Sequence, residues 1–439
     1  MTRGTDRSGP LPGRRDPRRV LLVGAAPSLA RKAARAGFSV WTLHDSGGRT
    51  PRPAAGTPGP AESSASADFA DRAALRERIA ATAVRNDIGW LLAFGAAGAL
   101  PAVLETADRF GLSPSPAEAA LLLADPAATR AVLNRSRHTH VPSAVVDSFA
   151  RLPEAVARVG PPALVRRLRP AARCPGTPVS AAGADGGRPA DAPAVPPGED
   201  GPYLVERSLE GPVVAAETLT VHGMHRVLGI AALRWGGPAG RDVLFPAPLA
   251  ARVQGEVRAA VTELLDLAGL EFGLTRVPVV LTAGGPRIAG CRRLDEEPVG
   301  RLIELATGTD PEAELFRALS GQRVATPRPH RYACAAPFRL PAGRLRSAPD
   351  LTEVSALPGV HRVHFPYAVG DELPGPDGES CGHVLVTAGS VEEAARRADA
   401  ARRLTHVDVE PGALLAPATA GDPPCLRLPA PSPGGGNGR

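Results

Sequence analysis

The sequence contains little lysine, few aromatic residues and few cysteines. Lys32 is the single lysine, which leaves 50 arginines among the 51 basic residues. Aromatic residues make up 4% of the chain, so alanine, valine and leucine must supply most of the core packing. The 5 cysteines are odd in number and form no Cys-x-x-Cys pair, which argues against a disulfide framework or a zinc site.

Long apolar runs are also missing. No segment approaches the ~18 consecutive apolar residues of a membrane span, and no apolar stretch precedes Val20 near the N-terminus. We therefore expect no membrane partner, no signal peptide and a cytoplasmic location.

The residues that are present indicate a large globular protein. A chain of 439 residues with 43% hydrophobic residues can form about two to three domains. The net charge is +6, but arginine replaces lysine throughout, and 48 glycines and 48 prolines show a general compositional bias. Because no basic stripe with interleaved aromatic residues occurs, we expect no nucleic-acid partner.

The N-terminal part predicts a parallel α/β domain. Residues 1–17 are rich in arginine, glycine and proline and are predicted to be disordered. From residue 18 the pattern alternates strand and helix, with a loop predicted over 46–66. Gly24 follows the first strand and Asp45 the second, which is the arrangement of a dinucleotide fold, although the glycine-rich fingerprint is absent. A dinucleotide-binding protein that uses these two residues is one functional alternative.

The segment from Tyr203 to Leu233 organises the rest of the chain. A short apolar strand ends at Glu206, a Gly211-Pro212 turn follows, and two strands flank His222-Gly223. Gly223 supplies the positive φ that a two-residue hairpin turn requires.

This segment resembles the hinge and central sheet of the ATP-grasp superfamily, in particular its carboxylate–amine ligase branch. The motifs that carry the resemblance are Leu204-Val205-Glu206, Leu209-Glu210-Gly211, Glu217, Val141-Pro142 with Asp147-Ser148, 245–249 and 299–308. The resemblance implies an α/β and α+β protein: a Rossmann-like pre-ATP-grasp domain at 18–114, a two-subdomain ATP-grasp core at 115–325, a small C-terminal α+β lid region at 326–412 and a disordered tail at 413–439. Within the core, 171–201 is predicted to be a disordered loop.

The resemblance also implies a nucleotide site. The backbone of Leu204, Val205 and Leu209 would hold an adenine, and Glu206 would face the ribose. Glu217 would lie in the same cleft. Arg166 stands where the family has a phosphate-binding lysine, and a guanidinium keeps the charge but not the geometry of an ammonium. Asp125 and Arg130 match a linker-helix motif in which Pro126 replaces another lysine. The implied cofactor is ATP.

The magnesium ligands of the family are replaced. Its pattern has a glutamate on one strand and Glu-x-Asn on the next, and the corresponding positions here are Pro278, Gly290 and Arg292. None offers the oxygen ligands that Mg²⁺ prefers. Asp295, Glu296 and Glu297 follow shortly after and form either a solvated acidic loop or a replacement ligand set.

Three functional hypotheses remain open. The first is an ATP-grasp-fold protein with weakened nucleotide binding and degenerate ligase chemistry, which acts through a protein partner. The second is an active ATP- and magnesium-dependent ligase that joins a small-molecule carboxylate to an amine or thiol through an acylphosphate, with the replacement residues in use. The third is the dinucleotide-binding protein. The family resemblance also allows a homo-oligomer.

Overall fold

The computed structural model describes residues 15–47, 61–95, 97–136, 139–168, 201–235, 242–293, 298–338, 340–374, 382–410 and 426–428. In this part of the chain, no helix combines the length and the apolar composition that a membrane span requires.

The first unit is a parallel four-stranded sheet with helices packed on it, as the alternating pattern predicted. Across the sheet the strands run in the order β3 (Ala61–Ala67), β2 (Ser39–Asp45), β1 (Asp16–Val23) and β4 (Ile88–Ala93). The apolar run Val20–Val23 forms the buried half of β1, because a strand covered on both faces needs continuous apolar side chains. The bounds are β1 (Asp16–Val23), α1 (Pro27–Arg35), β2 (Ser39–Asp45), β3 (Ala61–Ala67), α2 (Arg72–Arg85), β4 (Ile88–Ala93) and α3 (Leu100–Arg109).

The loop prediction for 46–66 is wrong at its C-terminal end. Residues from Ala61 onward form β3, which pairs in parallel with β2 at the edge of the sheet. The alternation of alanine and serine carries little strand propensity, so pairing with the neighbouring strand decides this structure.

Two short helices lead into a small antiparallel sheet. They are α4 (Ala117–Ala124) and α5 (Pro126–Leu133). Asp125 caps α5 by accepting hydrogen bonds from the amides of Ala127 and Ala128, and Pro126 occupies the first turn, where its missing N–H is harmless. The sheet contains β5 (Ser143–Val146), β6 (Ala163–Arg167) and β7 (Tyr203–Arg207), with α6 (Leu152–Val159) packed against it.

The largest sheet in the described residues contains nine strands. Its centre is the predicted hairpin, formed by β8 (Val213–Val221) and β9 (Met224–Trp235) with Gly223 at φ 71°. One face of this hairpin packs on the helix Ala251–Ala268, and the other packs on the helices Val299–Thr307 and Pro311–Leu319. Further bounds are β10 (Asp242–Phe245), α7 (Ala251–Ala268), β11 (Phe272–Thr282), β12 (Gly285–Ile288), β13 (Arg292–Arg293), α8 (Val299–Thr307) and α9 (Pro311–Leu319).

The C-terminal part extends this sheet and adds a second, three-stranded one. Ser390 caps the helix Val391–Leu404 by accepting a hydrogen bond from the amide of Glu393. The bounds are β14 (Tyr332–Pro337), β15 (Ala342–Ser347), α10 (Leu351–Ser355), β16 (Val360–His364), β17 (Glu372–Pro374), β18 (His383–Ala388), α11 (Val391–Leu404), β19 (Asp408–Glu410) and β20 (Leu426–Leu428). Strand β20 lies inside the segment predicted as a tail and pairs with β6.

The single lysine joins the first unit to the core. Lys32 on α1 contacts Asp310 and Glu312 at the start of α9, with both N–O distances at 2.6 Å. Burial alone would lower the pKa of Lys32, but the two carboxylates outweigh it and the pKa is raised. Nearby, Phe38 packs edge-on against Phe316 of α9.

We expect Lys32→Met to lower the free energy of unfolding by about 1 kcal/mol, because two partly buried carboxylates lose their cation. Urea-induced unfolding of both proteins measures the difference. Arg31→Met on the exposed face of the same helix is the matched control and should change stability far less. Equal effects of the two substitutions would show that the ion pairs contribute nothing.

Candidate functional site

A buried arginine, Arg130, connects the small antiparallel sheet that contains β7 to the nine-stranded sheet that contains β12. Arg130 on α5 donates from Nε to Glu206 Oε1 of β7 at 2.5 Å and from Nη2 to the Ile288 carbonyl of β12 at 2.7 Å. Arg130 and Glu206 are only 4% and 7% exposed. Because β7 and β12 belong to different sheets, one guanidinium holds the two sheets together. We call this junction of Arg130, Glu206 and Ile288 the hinge.

A second arginine approaches the same carboxylate. Arg166 on β6 lies 4.0 Å from Glu206, measured from Nη2 to Oε2. Two cations thus face one anion. The Nη1 atom of Arg130 is buried and has no hydrogen-bond partner in the described part of the chain. Among the described residues, two guanidinium groups thus approach one carboxylate, and one buried donor has no partner.

Of the three predicted adenine contacts, two lie inside β7 and one lies in the segment after it. Leu204 and Val205 lie inside this strand, which is paired with β5 on one edge and with β6 on the other. In a central strand the backbone N–H and C=O groups alternate between the two neighbours, so those of Leu204 and Val205 are engaged. Leu209 follows the strand, and among the described residues its amide has no hydrogen-bond partner.

The predicted cleft residue Glu217 is completely buried and bound to an arginine. Arg276 on β11 is its register partner and donates to Oε1 from Nε at 2.9 Å and from Nη2 at 2.7 Å. Burial raises the pKa of Glu217, Arg276 acts in the opposite direction, and the net result is a raised pKa. Its Oε2 atom is buried without a partner in the described residues.

The three positions that correspond to magnesium ligands lie close together. Pro278 is buried on β11, two residues after Arg276 and therefore on the same face of the sheet. Its carbonyl accepts from the amide of Ala289, which precedes Gly290. The Cα atom of Arg292 on β13 pairs with that of Arg276. The backbones of the three positions assigned to the metal thus lie in one small region of the nine-stranded sheet.

This region does not fit a magnesium ion. Proline and glycine offer no side-chain oxygen, and arginine is a cation. The described residues contain no group of three or more His, Cys, Asp or Glu side chains arranged to hold a metal. Asp295, Glu296 and Glu297 lie outside the described residues.

The residues of the dinucleotide alternative have structural roles. Gly24 adopts φ 71° at the end of β1, and its amide donates to the Leu43 carbonyl at 2.8 Å. Asp45 Oδ1 accepts from the amides of Gly47 and Phe69 and so holds the segments that flank β2 and β3 together.

Sequence reasoning noted Arg130 only as a motif residue and missed Arg276. The sequence does contain a signal for Arg276: this charged residue directly precedes the apolar strand Val277 to Leu281. Such a residue needs a buried partner.

Comparison with known proteins reveals similarity in fold and in one C-terminal segment. Residues 337–410 match the family profile of L-amino acid ligase C-terminal domain 2. No curated protein matches the chain in sequence. The structure is similar to an L-amino acid ligase from Bacillus licheniformis, with a TM-score of 0.73 and 19% identity over 91% of this chain and 100% of that one.

Two other solved structures share the architecture. N5-carboxyaminoimidazole ribonucleotide synthetase from Thermotoga maritima has a TM-score of 0.68 and 15% identity, covering 90% of this chain and 100% of its own. The biotin carboxylase domain of 2-oxoglutarate carboxylase from Hydrogenobacter thermophilus, solved with MgADP, ADP and bicarbonate, has a TM-score of 0.62 and 15% identity, covering 89% and 90%.

Proposed function

Because the chain has the ATP-grasp fold of the carboxylate–amine ligases, we propose that it binds a nucleotide weakly in the cleft beside Glu206 and no longer performs the ligase reaction. The observation that carries the proposal is the set of residues at the metal positions: Pro278, Gly290 and Arg292. The protein would then act as a binding subunit for another protein, such as an active ligase.

Nucleotide binding is supported by the residues around the hinge. The Leu209 amide follows β7 and is available for an adenine, and Arg166 points a cation toward Glu206. Binding would be weak because Glu206 is already engaged by Arg130 and would have to be shared with a ribose. The residues present thus fit the nucleotide better than they fit the metal.

Electrostatics supports the proposed loss of the ligase chemistry. Formation of an acylphosphate moves negative charge between phosphate oxygens, and cations held on those oxygens stabilise the transition state. Removing a single element of this kind costs roughly 100-fold in rate. Here the metal ligands and two lysines are replaced together.

Restoring part of the metal site should create a magnesium response. The double variant Gly290→Glu/Arg292→Asn introduces a carboxylate and an amide, and a Cβ atom at Gly290 would meet nothing within 4 Å. Pro278 is left unchanged because it is buried. We expect ATP to raise the thermal midpoint of this variant more with magnesium than without it.

The unaltered protein should show no stabilisation by magnesium in the same titration. A ligand at about 100 times its dissociation constant adds ~2.7 kcal/mol of stability, so saturating ATP should still raise the midpoint. Absence of any shift with ATP would refute nucleotide binding. Gly255→Glu on the exposed face of α7, where a Cβ atom also meets nothing within 4 Å, is the control for adding a carboxylate.

An active carboxylate–amine ligase is the second candidate, favoured by the match to an L-amino acid ligase domain at 337–410. In that case Asp295, Glu296 or Glu297 would hold the metal and Arg166 would act as the phosphate-binding cation. Stabilisation of the unaltered protein by ATP only in the presence of magnesium would select this candidate.

A further inference from the structure

The first unit and the core enclose a small cavity whose lining contains none of the residues assigned to the nucleotide. It is bordered by Leu92 near the carboxyl end of β4, by Leu123 of α4, by Leu274 of β11 and by Leu315 of α9. Its volume is about 40 Å³, and a single water needs ~10–15 Å³ on the same measure. The cavity therefore has room for a group larger than one water.

Two sheet edges border this cavity. Strand β4 is an outer strand of the parallel sheet. Among the described strands, residues 272–274 of β11 pair with β8 alone, because β13 pairs at Thr275 and Arg276 and β12 pairs only from Val279 onward. Gly273 lies in this stretch, and a Cβ atom there would meet nothing within 4 Å. A glycine inside a strand often marks a place where a ligand approaches the backbone.

The lining is apolar, and its hydroxyl groups are already engaged. None of the described residues that line the cavity carries a charge. Ser113 donates its hydroxyl hydrogen to the Ser115 carbonyl, and Ser115 Oγ accepts from the amide of Glu271 at 3.1 Å. Thr275 Oγ1 lies 2.5 Å from Thr218 Oγ1, with which it shares a hydrogen bond. Because a buried water requires about two to four polar partners, this lining favours an uncharged apolar group over water.

We propose that this cavity binds the short alkyl group of a small uncharged molecule. Its position agrees with a ligand site, because ligands of open parallel sheets bind in the crevice outside the carboxyl ends of the strands. Since Leu92 and Leu315 belong to different units, such a ligand would contact the first unit and the core at once. The inference is independent of nucleotide binding and goes beyond it.

The affinity should follow the size and the charge of the ligand. Isoamyl alcohol has three more carbon atoms than ethanol, and at roughly fourfold in affinity for each buried methylene it should bind roughly 60-fold more tightly. Isovalerate has the same carbon skeleton but carries a carboxylate, which is costly to bury, and it should not bind. Titration of the full chain with each compound, followed by NMR, gives the dissociation constants.

Leucine methyl signals locate the bound alcohol in the unaltered protein. Isoamyl alcohol should shift the signals of the leucines that line the cavity, which include Leu92, Leu123 and Leu315. It should leave those of Leu345 and Leu373 unchanged, because these two belong to a different core cluster. Shifts of equal size in both groups would show nonspecific partition of the alcohol and would overturn the site.

A filling variant tests the cavity itself. Ala120 lines the cavity from α4, so Ala120→Leu places a larger side chain in the space and should abolish saturable binding of isoamyl alcohol. Ala124→Leu makes the same change at the exposed end of the same helix and should leave the dissociation constant unchanged.

Three results would overturn the proposal. They are unchanged affinity in Ala120→Leu, equal binding of isovalerate and isoamyl alcohol, and absence of saturable binding to the unaltered protein. If Ala120→Leu does not fold, the leucine shifts of the unaltered protein decide, because they require no substitution.

Discussion

Replacement of Arg130 by methionine is expected to lower the free energy of unfolding by about 3–5 kcal/mol, because a buried carboxylate loses its main counter-ion. Among the described residues, Glu206 would keep Arg166 at 4.0 Å, and the Ile288 carbonyl would lose the hydrogen bond from Arg130. Methionine retains the length and apolar character of the arginine stem, so the decrease in the free energy of unfolding measures the contribution of the guanidinium group. Urea-induced unfolding followed by circular dichroism measures it.

A second substitution identifies the source of the loss. Glu206→Gln removes the charge, so the double variant Arg130→Met/Glu206→Gln should be more stable than Arg130→Met alone, with a coupling free energy of about 1–3 kcal/mol. If the two effects simply add, the pair is not energetically coupled.

The control is an exposed ion pair. Arg76 and Glu105 approach to 2.7 Å, but their side chains are 46% and 53% exposed. Solvent screening limits such pairs to about 0–1 kcal/mol, so Arg76→Met should have a small effect.

The size of the expected effect follows from the place of Arg130 in the molecule. Its guanidinium holds a side chain of β7 and a backbone carbonyl of β12, 76 and 158 residues away in sequence. These two strands belong to different sheets. Loss of the arginine should therefore also loosen the hinge, which limited proteolysis of the Arg130→Met variant can detect.

Most of the secondary structure could be predicted because local signals agree with the fold. Helix α9 (Pro311–Leu319) has such signals, since Asp310 caps it and proline occupies its first turn. The hairpin around Gly223 was predictable for the same reason: a turn residue separates two apolar strands. By contrast, β3 depends on pairing with β2, which its small side chains do not reveal.

The candidate site was predictable only as a set of positions. The family resemblance assigned Arg166, Glu206, Glu217 and the three metal positions to the site. It could not show that Arg130 binds Glu206 or that Arg276 binds Glu217, because each pair is formed by residues 76 or 59 positions apart. These contacts alter the chemical interpretation, since a glutamate engaged by arginine no longer acts as a free carboxylate.

Replacement of Arg276 by methionine is the second large effect that we expect, about 3 kcal/mol at neutral pH. Glu217 is fully buried, and Arg276 is the group that lowers its pKa against the effect of burial. Without the arginine the pKa rises further, so the ionised carboxylate becomes more costly to keep in the folded protein.

The pH dependence of this loss has a definite sign. The folded pKa of Glu217 is already above its ordinary value of 4.5, so its contribution to stability declines as the pH rises from that value through the folded pKa. In Arg276→Met the folded pKa of Glu217 is higher, so the pH range over which stability declines extends to higher pH. The difference between the two proteins should be largest at neutral pH and should shrink toward pH 5, where Glu217 is protonated more readily.

Urea unfolding at pH 5 and pH 7.5 compares the two proteins directly. Adding Glu217→Gln to Arg276→Met should remove the pH dependence, because no titrating group remains at that position. Arg346→Met provides the strand-pair control, since Arg346 and Glu410 are 58% and 51% exposed. A loss in Arg276→Met that is equal at both pH values would mean that Glu217 is already uncharged beside Arg276, and the pair would have to be regarded as a neutral hydrogen bond.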